Sequence, residues 1–442
     1  MLFLLKKIKI WYTKNGDRMN IIDIINKKRK GFSLNYDELK FAVDGFLNGD
    51  VVDSQMSSLL MAIVINGMSD QETFDLTDIM LNSGNINDLS KINGIKVDKH
   101  STGGVGDKTS LILVPLVASC GVNVAKMSGR SLGHTGGTID KLESIDGFNV
   151  NLSQDEFVEQ VNKIGCALVS QTTELVPADK KIYALRDLTA TVESIPLIAS
   201  SIMSKKLASG VDKIVIDVKV GEAAFMKNLE EARKLAELMV KIGKNKGKET
   251  ICVLTNMDEP LGNYIGNALE VHESIKTLNG EGPSDLVEIV ITLASLMVSL
   301  GKNIDIEEAK QMVSENIKNG KAYEKFKEMV ASQEGNIENI PVSSHIYSLK
   351  SLKSGFITKI DAYKLGMLER KMGDSRFKQK DLIDYTVGFI LNKKVGDYVL
   401  ENEELVKVYL NSNDINVKEI LDCFIIEDSS VEKKPLIYEI IK

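Results

Sequence analysis

The chain has 442 residues, enough for two or three domains, and its 43% hydrophobic and 26% charged content is ordinary for a globular protein. A net charge of −7 and a pI near 5.5 argue against nucleic acid as a partner, so any positive charge put to use must be local. No apolar run is expected to span a bilayer, and Cys120, Cys166, Cys252 and Cys423, none in a C-x-x-C pair, read as reduced, packed thiols of a cytoplasmic protein.

Residues 1–10 are apolar, but the run is too short and wrongly flanked for a secretory signal. M-N-I-I-D-I-I from Met19 is the more natural start, so residues 1–18 are expected to be an extension that a chain beginning at Met19 can lose without harm. From 19 to 83, apolar positions recur at three and four residues (21–25, 39–46, 56–68), which predicts several short packed helices. Residues 91–97 read as a connector. Near Lys99 the texture becomes α/β: a glycine-rich loop at 99–108, an apolar helix-length run at 110–120, a buried strand at 122–127 and a second glycine-rich loop. Pro115 is expected to kink that helix or lie near its first turn. S-Q-D-E at 153–156 is a capping box opening a helix to Lys163, and 166–170 is a short strand. Two helices then follow without an intervening strand, at 177–188 and 193–208, so the chain is expected to rejoin the helical group. K-I-V-I-D-V-K-V at 213–220 is a strong strand signal. Helix (223–246), strand (251–254), helix (264–278), helix (284–300) and a charged helical stretch to about 333 continue the pattern. Beyond 340 the sequence is rich in strands and turns, and 387–410 predicts a small antiparallel or barrel-like module in which K-K-V-G-D at 393–397 is a turn.

The expected fold class is therefore α/β plus all-α. A helical domain spans 19–83 plus about 177–209, and an α/β domain with a mixed sheet spans about 90–172 plus 211–335. A C-terminal α+β module, hammerhead-like and structural, covers about 340–442.

Two glycine-rich loops carry the chemistry. The first reads K-H-S-T-G-G-V-G-D at 99–107, the second K-M-S-G-R-S-L-G-H-T-G-G-T-I-D-K-L-E at 126–143. Glycine allows close backbone approach and φ > 0, successive N–H groups form an anion nest, and hydroxyls and lysine complete an oxyanion-binding set. A nucleotide P-loop needs Lys directly after Gly; here Asp107 separates Gly106 from Lys108, and the register fails. Ser128 and Thr138 can donate to phosphate oxygens. Asp140, Lys141 and Glu143 are expected to cap and ion-pair, and His134 to make a structural hydrogen bond. Arginine is scarce (residues 18, 29, 130, 186, 233, 370 and 376), which draws attention to Arg130, as salt bridge or anion contact, and to Arg186.

The run S-G-R-S-L-G-H-T-G-G-T-I-D-K-L-E at 128–143 resembles the signature of the thymidine and pyrimidine-nucleoside phosphorylases, and K-H-S-T-G-G-V-G-D resembles the same family's phosphate loop. The resemblance extends over nearly all of 19–442. It implies reversible phosphorolysis of a pyrimidine nucleoside (thymidine, deoxyuridine or uridine) to free base and (2-deoxy)ribose 1-phosphate. By residue type, it implies that phosphate is held at Lys99, Ser101, Ser110, Ser128 and Thr138, with Lys126 and Met127 on the same edge. The base is held at Arg186, Ser201 and Lys205, with His100 nearby as a candidate general acid. Ser201 and Lys205 stand four apart, on one helix face. Arg186→Ala and Lys205→Ala are each expected to cut turnover strongly while leaving the fold intact. The resemblance further implies a homodimer formed through the helical domain and a substrate cleft that closes by a hinge.

Some bacterial broad-specificity members of the resembling family bind a monovalent cation. The corresponding positions here are Gly106, Lys108, Leu261, Tyr264 and Glu273. Lys108 replaces a hydroxyl residue, and two readings stay open: its ammonium takes the cation's place and pairs with Glu273, making potassium unnecessary, or it is a surface lysine pointing away and a potassium ion is bound; no other cofactor is implied, phosphate being a substrate. Lys108 resembles the thymidine-specific members and K-M-S at 126–128 the broad-specificity ones, so base preference stays open. The rival readings are an anthranilate phosphoribosyltransferase-like transferase, which shares the architecture, and a non-catalytic nucleoside-binding protein, against which the intact Lys99, Ser101, Arg186 and Lys205 argue.

Overall fold

The structure, a computed structural model, describes residues 19–131, 136–172, 174–375, 382–411 and 416–442; the 1–18 extension and His134 lie outside them. It opens with four helices, α1 (Ile21–Arg29), α2 (Tyr36–Asn48), α3 (Asp53–Asn66) and α4 (Asp70–Leu81). Asn35 and Ser69 start α2 and α4 in reciprocal capping boxes with Glu38 and Glu72. Glu72 is also buried, accepting from Lys28 Nζ at 2.7 Å and the Leu34 N–H at 2.9 Å, which ties α1 to α4.

The α/β segment follows: β1 (Val97–Ser101), α5 (Thr109–Ser119), β2 (Val124–Ser128), α6 (Thr138–Glu143), α7 (Gln154–Ile164) and β3 (Cys166–Ser170). Ser153 and Glu156 form the expected box at the start of α7. Helices α8 (Pro177–Leu188) and α9 (Ile195–Ala208) come next, then β4 (Lys213–Val220), α10 (Leu229–Asn245), β5 (Glu249–Asn256), β6 (Tyr264–Ile265), α11 (Asn267–Leu278), α12 (Ser284–Lys302), α13 (Ile306–Lys318) and α14 (Lys321–Ser332). The chain ends with β7 (Ile346–Lys350), β8 (Gly355–Ile360), α15 (Ala362–Met372), β9 (Gly388–Leu391), β10 (Tyr398–Val399), β11 (Glu404–Tyr409), α16 (Val417–Leu421), β12 (Phe424–Glu427) and β13 (Ile437–Ile441).

These elements form two compact units. One is helical and comprises the described residues up to Asn87 together with Thr172–Gly210 and Lys241–Lys246. Its core joins Leu39, Phe46, Met56, Leu60, Leu76 and Met80 to Ile182 of α8 and Leu197 of α9. The other comprises Asp88–Gln171, Val211–Val240 and Gly247–Lys442. Its central sheet has the order β1-β4-β5-β13, with β1, β4 and β5 parallel and β13 antiparallel, which makes it mixed. The parallel pair β2-β3 lies beside β1 through the bridge between Lys96 and Asn123. Two small antiparallel sheets, β6-β9-β11-β7 and β10-β8-β12, build most of the C-terminal α+β region.

Several expectations need correction. Of the two alternatives for Pro115, a place near the first turn is excluded, since it lies inside α5 beyond that turn. The stretch 264–278 is not one helix: β6 pairs with β9, and Gly266, at φ 127°, precedes α11. A side chain at Gly266 would meet the Val387 carbonyl at 2.4 Å, so the approach of the C-terminal region breaks the helix there. The C-terminal α+β region itself is as expected, and it is joined to the α/β unit by β6-β9 and β5-β13. Contrary to the sequence reading, α12, with 19 residues and a mean hydropathy of 1.7, is long and apolar enough to cross a membrane by length and composition. Half of it is buried, and Leu286, Ile289, Val290, Leu293 and Met297 all belong to the core of this unit. Cys120, Cys166, Cys252 and Cys423 are buried free thiols, and burial pushes Cys166 up to about 12.

Candidate active site

Strands β1 and β2 run side by side and in the same direction, with Val97 N–H donating to the Asn123 carbonyl at 3.0 Å. Lys99–Ser101 at the end of one and Lys126–Ser128 at the end of the other therefore open onto one edge, where parallel sheets usually bind ligands. Lys126 Nζ donates to the Lys99 carbonyl and, at 3.3 Å, to Asp98. Ser110 follows in the first turn of α5, and Thr138 opens α6. Lys99, Lys126, Met127 and Ser110 are buried, whereas Ser101, Ser128 and Thr138 are half-buried. An anion arriving at this edge would meet hydroxyls and loop N–H groups first, with the ammonium groups beneath them.

Lys99 does not stand alone. Its Nζ donates to the Thr109 hydroxyl and lies 3.6 Å from Asp217 and 3.9 Å from Asp107. Asp217 pairs with Lys219 at 2.7 Å and accepts from the Thr255 hydroxyl at 2.6 Å. Asp107 accepts from the Ser101 hydroxyl and from the Thr109 N–H and hydroxyl, at 3.2 and 2.6 Å. Burial alone would raise the Asp107 carboxyl; Lys99, Lys219 and the two hydroxyls outweigh it and hold the group well below the usual carboxylate range. Burial lowers the Lys99 ammonium, against the pull of Asp107 and Asp217. Asp107, Thr109, Asp217 and Lys219 were not singled out by sequence reasoning. The available signal was D-V-K inside a strand otherwise built for the core: period two puts Asp217 and Lys219 on one face, where charge demands a partner.

The second loop is braced by its own charges. Arg130 forks onto Glu143, with Nη2 at 2.7 Å from Oε1, and also reaches Asp140 at 3.2 Å. Bonding to Glu143, offset by burial, raises the guanidinium further. Asp140 takes the Ser131 N–H at 2.6 Å, and a Cβ on Gly137 would lie 2.1 Å from that nitrogen, so only glycine fits. Arg130 is thus engaged in a salt bridge, and Lys141 pairs with Glu270 at 2.7 Å. Residues 132–135 of the signature lie outside the described residues.

Lys108, at the start of α5, is fully buried. Its Nζ donates to the carbonyls of Leu261 and Tyr264, each at 2.8 Å, and to Glu273 at 2.6 Å. Gly106, at φ 77°, packs so tightly on Leu261 that a Cβ would meet its carbonyl oxygen at 2.6 Å. The oxygens that a monovalent cation would need are therefore already bound to an ammonium, and this constellation does not fit a potassium ion beside Lys108.

His100 precedes Ser101 on β1, paired in register with Ile216 of β4, and is half-buried.

The helical unit brings Arg186, Ser201 and Lys205 into one polar cluster. Lys205 Nζ donates to Asp179 and, at 2.8 Å, to Ser201 Oγ. Arg186 is buried, with Nε donating to the Thr191 carbonyl at 3.0 Å, Nη1 to Leu197 at 3.2 Å and Nη2 to Val192 at 2.7 Å. Burial lowers its guanidinium while Asp179 favours the charge, and the cation lies 5.6 Å from the Tyr183 ring centre. Two N–H bonds of the five remain for a ligand. The expectation that Arg186→Ala leaves the fold intact is corrected here: its side chain holds the 191–197 turn. Asp179 and Tyr183 were missed, although their spacing from Arg186 (seven and three residues) puts all three on one face of α8.

The helical bundle domain model of the glycosyl transferase family matches residues 22–84, the family's a/b domain model matches 93–323, and a pyrimidine nucleoside phosphorylase C-terminal domain model matches 356–424. A pyrimidine-nucleoside phosphorylase of Staphylococcus haemolyticus is 53% identical over 405 residues, covering 90% of this chain and 94% of its own. One from Staphylococcus epidermidis is 51% identical over 431 residues, 96% of this chain and 100% of its own. Among solved structures, anthranilate phosphoribosyltransferase from Thermus thermophilus has the same fold, with a TM-score of 0.54, 18% identity, and coverage of 70% of this chain and 99% of its own.

Proposed function

The chain belongs to the pyrimidine-nucleoside phosphorylases, and on that premise we propose that it is a pentosyltransferase for the reversible phosphorolysis of pyrimidine nucleosides. The observation that carries this reading is identity of about half, sustained along the full length of a named phosphorylase. Phosphate is held by the hydroxyls of Ser101, Ser110, Ser128 and Thr138 over Lys99 and Lys126, with Met127 lining the edge. The base is held by Arg186, Ser201 and Lys205. A phosphate oxygen attacks C1′ with inversion as the bond from C1′ to the base nitrogen breaks. The electron pair leaves with the base, Arg186 and Lys205 stabilise the charge that develops there, and His100 supplies the proton. No covalent enzyme intermediate is needed. Fixed charges and positioning carry the rate, and each such donor is worth a factor of about 100–1000.

Potassium plays no part, because Lys108 occupies the oxygens a cation would use. The working form is a cytoplasmic homodimer formed through the helical domain, a reading supported by the exposed apolar side chains of Ile22, Phe32, Met61 and Ile65 in that unit. Thymidine, deoxyuridine and uridine are the substrates to compare. Incubating the protein with each, with and without phosphate, and following base release tests the reading. Release that ignores phosphate, or none at all, overturns it. Magnesium-dependent use of a phosphoribosyl pyrophosphate would favour phosphoribosyl transfer instead.

A further inference from the structure

The turn at 393–397 belongs to the C-terminal region, yet its lysine does not face solvent as an ordinary turn residue would. Lys394 Nζ donates to the Pro260 carbonyl, to the Gly262 carbonyl at 2.9 Å and to Asp285 at 3.1 Å. Its side chain is 15% exposed. The turn is fixed from both sides: Lys394 N–H donates to Asp397 at 2.8 Å, Val395 N–H to Glu259 at 3.0 Å, and Gly396 N–H to the Ile357 carbonyl at 2.8 Å.

The loop it grips is the one Lys108 grips from the first glycine loop. Carbonyls 260 and 262 point to Lys394, and carbonyls 261 and 264 point to Lys108. Each ammonium brings a carboxylate that also takes backbone N–H groups of the same loop. Asp285 accepts from Gly262 at 3.0 Å; Glu273 accepts from Asn263 at 2.9 Å and Tyr264 at 3.1 Å. The segment is thus clamped by two ion pairs, Lys108–Glu273 and Lys394–Asp285. It then meets the first glycine loop directly, since Leu261 N–H donates to the Val105 carbonyl at 3.1 Å and Gly106 packs on the Leu261 carbonyl.

Resting on the phosphorolysis reading above, we infer that Lys394 is a positioning residue for phosphate, holding the 260–264 segment so that the glycine loop at 101–106 keeps its anion-binding shape. The C-terminal region then serves the site through this lysine as well as through its packing. Burial would raise the Asp285 carboxyl, but Lys394 and the Gly262 N–H hold it below the usual range, which fits an ion pair that is formed and kept.

The test compares the parent with Lys394→Met, Lys394→Arg and the charge-balanced double variant Lys394→Met/Asp285→Asn. Inorganic phosphate binding is measured by calorimetry, and KM is measured separately for phosphate and for nucleoside. For Lys394→Met, and for the double variant should the single one fold poorly, phosphate Kd and KM rise about tenfold while nucleoside KM stays within twofold. Lys394→Arg, which keeps charge and donors, recovers most of the loss. Phosphate affinity within twofold of the parent in the methionine variants, or an equal rise for both substrates, overturns the inference. Calorimetry needs no turnover, so a parent that binds phosphate but releases no base would refute phosphorolysis while leaving the clamp testable.

Discussion

The Lys108 constellation makes a prediction whose size follows from burial. Lys108 and Glu273 are 0% and 2% exposed in their side chains and 2.6 Å apart, with two carbonyls completing the shell. Lys108→Thr removes the ammonium and leaves a buried carboxylate facing two carbonyl oxygens. Removing one partner of a buried ion pair costs about 3–5 kcal/mol. The same vacated oxygens then form a monovalent cation site, and a cation binding only the folded state stabilises it by about 2.7 kcal/mol at one hundred times its Kd. The variant in choline chloride should therefore be destabilised and weakly active, and potassium chloride at equal ionic strength should restore much of both. The parent should show the same melting temperature and the same phosphorolysis rate in either salt. The assay is a potassium titration of Tm and of base release for both proteins. A parent whose activity climbs with potassium would refute the reasoning, as would a variant indifferent to potassium.

Three further outcomes are expected. Arg186→Ala should lower stability by at least about 4.5 kcal/mol, because three buried carbonyls each lose a charged donor worth roughly 1.5–3 kcal/mol; an unchanged denaturant midpoint would contradict this. Asp179→Asn removes the anion from Lys205 and should raise nucleoside KM about tenfold with phosphate KM unmoved, measured by steady-state kinetics with each substrate varied. Burial pushes the Asp374 carboxyl up to about 7 beside Glu369, itself raised by burial and by Asp374. A carboxylate whose folded pKa is raised contributes stability at low pH that is lost as pH climbs through the folded value. Parent stability should therefore fall relative to Asp374→Asn, by about 1.4 kcal/mol per pH unit between the ordinary carboxylate range and about pH 7. Parallel urea profiles for the two proteins across that window would rule it out.

What could be read from the chain, and what could not, divides along the range of the interactions. The Ser153–Glu156 box started α7 where expected, and β3 and β4 run over 166–170 and 213–220 as their apolar patterns predict. All three signals are local. The misreadings concern segments whose shape is set from far away. The break at Gly266 is imposed by Val387, and the stretch before α10 is a loop because Ala223 N–H donates to the Met257 carbonyl at 3.1 Å. Strand β13 could not be assigned to a sheet until β5 was seen beside it.

The site divides in the same way, and the division has a physical cause. Hydroxyls and glycines that can meet an anion do so through short runs of backbone, so they cluster in motifs such as K-H-S-T-G-G and T-G-G-T. Buried charges instead find partners wherever the fold delivers them. Lys108 stands 165 residues from Glu273, and Lys394 stands 109 from Asp285. A buried lysine without a carboxylate costs far more than one with it, so each such lysine implies a partner even where the sequence does not say which. Lys99 is the case that bears on chemistry. Its ammonium is shared among Thr109, Asp107 and Asp217, and Asp217 is in turn offset by Lys219. Counted together, Lys99, Lys219, Asp107 and Asp217 carry no net charge. On the phosphate reading proposed above, an incoming anion would draw little from their summed charge and would have to draw on orientation: the Ser101 hydroxyl already points at Asp107, and the anion would compete with that carboxylate for it. Neutralising Asp107 would free that donor while unbalancing Lys99. The sign of its effect on phosphate affinity therefore measures which of the two, orientation or charge, the site depends on more.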